Sequence, residues 1–99
     1  MNRELAIETL KRVRPQLARR GIAHAAIFGS VARGDAGALS DIDVVVAPAP
    51  GVFLNLFDLG GVQSILEEAF VGVNVDVVME PIRRPRLRHA IERDRARAF

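Results

Sequence analysis

Three carboxylates lie in strand-like apolar sequence: Asp41 and Asp43 in SDIDVVV, and Asp76 in VNVDVVM. Side chains alternate along a strand, so Asp41 and Asp43 project from one face, with roughly 7 Å of backbone between them at about 3.3 Å per residue. If the second segment lies beside the first, Asp76 comes within roughly 5 Å across the sheet. Three like charges so placed repel, and the cluster is most easily stable when cations occupy it. Mg²⁺ prefers such an oxygen-only set and shares its remaining positions with water and substrate phosphate. Two ions roughly 4 Å apart can polarise an attacking oxygen and stabilise a leaving one in an in-line displacement at phosphorus. The spacing therefore points to phosphoryl or nucleotidyl transfer.

That chemistry also needs a cradle for polyphosphate. Gly29-Ser30, at the end of an apolar run, offers backbone N–H groups and a hydroxyl, and Gly29 permits close approach. Arg33 is the only basic residue between positions 21 and 80. Either it adds a charge-assisted contact to phosphate, or it pairs with Asp35 or the carboxylates as a structural bridge. Taken singly, each feature has a plain explanation: an exposed polar strand face, a turn, a surface aspartate. Together they answer separate requirements of one reaction. No Gly-Lys-Ser/Thr follows the glycines, so this is not a Walker-type loop.

The elements that must position these groups are readable from periodicity. Residues 2–20 carry apolar side chains at Ala6, Leu10, Val13 and Leu17, the stripe of an amphipathic helix stopped by Arg19-Arg20-Gly21. Pro15 predicts a kink or a second short helix within it. Ile22 to Phe28 reads as a buried strand with His24 at its solvent edge, followed by a helical turn, Val31-Ala32-Arg33, capped by Ser30 and closed by Gly34. Asp35 to Ser40 reads as loop. A second strand over 41–47 turns Ile42, Val44 and Val46 to the core, and Pro48, Pro50 and Gly51 end it.

Residues 52–70 predict a helix with Leu56, Leu59, Val62, Leu66 and Phe70 in one stripe, broadened by Leu54, Phe57, Ile65 and Ala69. Gly60-Gly61 inside it implies a bend or a close neighbour. A third strand spans 73–79, and Pro85 starts a final helix running towards Phe99, with Leu87, Ala90, Ile91 and Ala98 inward. The expected architecture is α/β, a sheet of about three strands with helices mainly on one face.

Composition narrows the partners. The chain has 99 residues, 49% hydrophobic and no cysteine, which fits one domain over 1–99 without a disulfide or Cys-based zinc site. No stretch approaches the roughly 20 apolar residues of a membrane span, and a cytoplasmic location is expected. Residues 1–20 carry six basic and two acidic groups, residues 81–99 seven and two, and residues 21–80 one and eight. The acidic centre suits cations. The basic ends are either solvated helix faces or contacts for nucleotide phosphate, nucleic acid or an acidic protein face. Five Phe, no Tyr and no Trp give no stacking platform to support nucleic-acid binding.

GSVARGDAGALSDIDVVV, followed by VDVV, resembles the minimal nucleotidyltransferase group of the DNA polymerase β-like superfamily, and the likeness covers nearly the whole chain in order. The resemblance implies a mixed sheet, Mg²⁺-dependent use of a nucleoside triphosphate, and Gly29 and Ser30 on its phosphates. It makes Asp41 and Asp43 the two metal-binding carboxylates. Asp76 becomes the third, ligating the acceptor-side metal and helping to deprotonate the attacking hydroxyl. Members of this group are often encoded with a HEPN-domain ribonuclease and act as its antitoxin, some by transferring AMP from ATP to a tyrosine of that partner. The implied function is such a transfer within a hetero-oligomer; the alternative is an antitoxin that neutralises its partner by binding alone.

Overall fold

A computed structural model describes residues 1–35, 37 and 41–99. Most of the predicted 35–40 loop therefore lies outside the described residues. The N-terminal stripe forms two helices, α1 (Arg3–Arg12) and α2 (Arg14–Arg19), broken at Val13 with Pro15 in the first turn of the second. Proline is tolerated there because the first turn's N–H groups have no intrahelical acceptor. Strand β1 (Ile22–Phe28) has the predicted bounds.

The turn after β1 is the short helix α3 (Gly29–Arg33), and here one expectation is corrected. Phe28 occupies the N-cap position and no side chain caps the helix, so Ser30 lies inside the turn. Gly34 closes it at φ 81°, as predicted.

Strand β2 (Ile42–Pro48) runs antiparallel to β1, and β3 (Val75–Met79) runs parallel to β2. Between them α4 (Leu56–Ala69) makes the crossover. Ile42, Val44 and Val46 are fully buried, each contributing about 1.5–3 kcal/mol relative to exposure. They pack with Leu10, Leu17, Val62, Leu66 and Phe70 in the main core, which holds α1, α2 and α4 to one face of the sheet. The two ends of α4 differ. Leu56 and Phe57, expected in the buried stripe, are 85% and 89% exposed, because the first turn of α4 overhangs the core. Gly61 is close-packed as expected: a Cβ there would stand 2.6 Å from the Arg20 guanidinium.

Helix α4 opens with a capping box that satisfies two free backbone donors: Asn55 Oδ1 accepts from Asp58 N at 3.0 Å and Asp58 Oδ2 from Asn55 N at 2.9 Å. Asn55→Ala is expected to cost about 1 kcal/mol, a fall of roughly 4–8 °C in thermal midpoint for a domain of this size, measurable by circular-dichroism melting.

The last helix, α5 (Pro85–Asp94), stops short of its predicted end. Arg95 takes extended geometry, φ −53° and ψ 125°, and Ala96–Arg97 form a fourth strand, β4, antiparallel to β1. Ala96 and Ala98 are buried on either side of exposed Arg97, the alternation of a strand rather than a helical stripe, and Phe99 is buried after them. Backbone bonds from Ala98 N and Phe99 N to Ala25 O, and from Ala25 N to Phe99 O, cover the β1 edge that a continuing helix would leave bare. The sheet order is β3-β2-β1-β4. Helix α5 crosses the second face, where Ile91 packs with Ala26, Phe28 and Val45. Among the described residues no helix is long and apolar enough to cross a membrane.

Candidate active site

The parallel pairing of β2 with β3 decides where the acids stand. Its register sets Ile42 against Val75, Asp43 against Asp76 and Val44 against Val77. Adjacent strands lie about 4.8 Å apart, so Asp43 and Asp76 are side-by-side neighbours on one face of the sheet. Asp41 immediately precedes β2 and is exposed, as is Asp76, whereas Asp43 is half-buried. The three predicted carboxylates are thus brought to one end of the sheet by the valine and isoleucine alternation that fills the opposite face.

The end of β1 arrives at the same place, since Phe28 pairs with Asp43. Gly29 follows at φ 74°, and a Cβ on it would overlap the Asp43 carboxylate, standing 3.3 Å even from Cγ. The bare glycine lets the carboxylate rest against the turn proposed for phosphate. Ser30 is half-buried beside it.

Electrostatics follow the geometry. Partial burial pushes the Asp43 carboxyl above its ordinary range, and the like charges of Asp76 and then Asp41 push it further, with Arg33 opposing. Asp43 is therefore strained as an anion and relieved by any cation that joins it. Among the described residues, no group of three acidic or histidine side chains is arranged to hold a metal ion by itself. The donor set nonetheless fits Mg²⁺, which takes one or two carboxylates and completes its shell with water and substrate oxygens rather than a closed protein cage.

Arg33, open at the sequence level between phosphate and a bridge, makes a bridge. Its Nε donates to Asp35 Oδ2 at 3.2 Å and its Nη1 to Asp94 Oδ2 at 2.7 Å. Sequence reasoning missed Asp94, which stands 61 positions away and is delivered by α5. The hydrogen bonds of Arg93, opposed by burial and joined by those of Arg33, hold the Asp94 carboxyl below its ordinary range. A depressed folded-state pKa gives stability that is present above the unfolded value, about 3.9, and lost as pH falls through the folded one. The gap in thermal midpoint between wild type and Asp94→Asn is accordingly expected to be open at pH 7 and to close below about pH 4. Melting curves across that range check it.

A cavity of about 230 Å³ lies away from this site, at the other end of the strands, where His24, Ala47, Glu80, Arg95 and Arg97 line it. Glu80 there pairs with Arg95 at 3.1 Å, and His24, at the solvent edge as expected, has its Nδ1 3.2 Å from Arg97.

The family model for the nucleotidyltransferase domain matches residues 9–97. A solved structure described as a candidate minimal nucleotidyltransferase is 36% identical, with 97% of this chain and 95% of that one covered and a TM-score of 0.76. More distant structures share the fold. A toxin–antitoxin with AMP-PNP is 20% identical over 100% of this chain and 73% of that one, with a TM-score of 0.69. The complex of a tri-AMPylated Shewanella oneidensis HEPN toxin with its MNT antitoxin matches at 15% identity, 98% and 71% coverage, and a TM-score of 0.69. No curated protein matches the chain. With a carboxylate pair fixed in register beside a glycine turn, and a family match across nearly its whole length, the chain belongs to the nucleotidyltransferase domain family, in its minimal form.

Proposed function

We propose that the protein is a Mg²⁺-dependent nucleotidyltransferase that moves AMP from ATP onto a hydroxyl, with a tyrosine of a HEPN-type toxin as acceptor, and so acts in the cytoplasm as that partner's antitoxin. The observation that carries the reading is the pairing of Asp43 with Asp76 against the Gly29 turn. Asp41, Asp43 and Asp76 would hold two ions, which when bound supply Lewis-acid polarisation of the phosphoryl oxygens. The chain's own groups do the rest. Backbone N–H groups of Gly29 and Ser30 bind the polyphosphate, and exposed Asp76 accepts the proton of the incoming hydroxyl. The acceptor oxygen bonds to the α-phosphorus, the bond to the β-phosphate oxygen breaks, and pyrophosphate leaves. The shared fold of the AMP-PNP-bound toxin–antitoxin and the AMPylated-toxin complex supports the choice of nucleotide and partner.

The test is transfer of label from α-labelled ATP to a co-expressed HEPN partner, with Mg²⁺ present and absent. No labelled partner, or label that persists without a divalent metal, would sink the reading. A second reading, neutralisation by contact alone, is favoured by the open spacing of the acids, which among the described residues form no ready-made metal site. It predicts that Asp41→Asn/Asp43→Asn still neutralises the partner.

A further inference from the structure

Arg33 presents the site with a problem. It lies four residues beyond Gly29, so on the same side of α3 and one turn from the point where that helix meets the Asp43 carboxylate. A guanidinium makes two-pronged, charge-assisted contacts with carboxylates, so an arginine this close is a built-in competitor for any metal ion.

Two acids hold it instead, and they are not equivalent. The pair with Asp35 is local and open to water, at 42% and 62% side-chain exposure, and such pairs hold weakly. Asp94 comes from a different element and its side chain is only 3% exposed. It is fixed in turn by Arg93, whose Nε and Nη2 donate to it at 3.0 and 3.3 Å. Ile91, three residues earlier and buried at 1% exposure, pins α5 to the sheet. The chain then leaves the helix at Arg95, so Asp94 stands where the last turn of α5 meets α3.

We propose that Asp94 is a positioning residue: by binding the Arg33 guanidinium it keeps that cation beside the phosphate turn and out of the Asp41, Asp43 and Asp76 cluster, leaving the acids free for a divalent metal. The inference rests on the metal-dependent reading above. Asp94 itself touches neither metal nor substrate and acts through Arg33.

Metal binding without nucleotide tests it, by Mn²⁺ titration followed by electron paramagnetic resonance and by the Mg²⁺-induced shift in thermal midpoint. If freed Arg33 occupies the acids about nine-tenths of the time, Asp94→Asn weakens metal binding about tenfold, because apparent affinity scales with the competent fraction. Adding Arg33→Ala to that variant restores wild-type affinity. Unchanged binding in Asp94→Asn, or a loss that Arg33→Ala fails to reverse, overturns the proposal, the second being what a merely structural bridge produces. Arg33→Ala alone decides the matter should Asp94→Asn not fold. A tethered Arg33 predicts a change in affinity of less than about threefold, whereas tightening of about tenfold or more means that Arg33 already sits among the acids. A wild-type protein that binds neither ion removes the metal-dependent reading itself, and this inference with it.

Discussion

Asp43→Asn is expected to abolish nucleotidyl transfer and, in the same protein, to raise the thermal midpoint. The first effect follows from the proposed chemistry. Bound metals supply several kcal/mol of transition-state stabilisation, and each 1.36 kcal/mol is a factor of ten, so losing a ligand carboxylate should lower the rate at least about a hundredfold. The second follows from the site itself. Asp43 is partly buried beside Asp76 and Asp41, and its folded-state carboxyl is raised above the ordinary range. A raised carboxyl pKa makes ionisation oppose folding at neutral pH, and that opposition fades as pH falls through the folded value. A neutral amide of the same shape removes it. Relief of a solvent-screened repulsion is worth up to about 1 kcal/mol, or up to about 5 °C here. Transfer assays and metal-free melting curves on one preparation check both signs, and a variant that loses activity and stability together would contradict the account.

Gly29→Ala should damage fold and chemistry at once. At φ 74° an alanine is strained by roughly 1–2 kcal/mol, and its methyl would enter the space of the Asp43 carboxylate. A total loss of about 2 kcal/mol or more, roughly 10 °C, is expected, with transfer impaired beyond what the unfolded fraction explains. Because the backbone strain and the overlap have separate causes, Gly29→Ala/Asp43→Ala should be more stable than the sum of the single changes predicts. Strict additivity in chemical denaturation would show that the carboxylate does not rest on the turn.

The parts legible in the sequence were those with short-range causes. The bounds of β1 came from an apolar run between two glycines, the break before Pro15 from a missing N–H, and the outward face of β2 from a period of two. The meeting of Asp43 with Asp76 required only that β3 be the neighbour of β2, and it is. What stayed hidden had long-range causes. Asp94 is an ordinary acid in an arginine-rich tail until α5 folds across the sheet. β4 needed the empty edge of β1 to draw the chain out of the helix. Leu56 and Phe57 obey the helical period and still face water, because periodicity says which side of a helix is apolar and not how far the core extends beneath it. The Asn55 and Asp58 box has a local signal, an Asn and an acid at capping-box spacing, which the predicted helix start at residue 52 passed over.

The parallel ladder between β2 and β3 works as an alignment gauge. If β3 advanced by one residue, the ladder could re-form, but Asp76 would turn into the core and a valine would take its place among the acids. Such a protein would hold its sheet and lose its third carboxylate. The valines of β3 thereby keep the position of the charge set between them, and the length of the segment between α4 and β3 is constrained as tightly as any aspartate in the site.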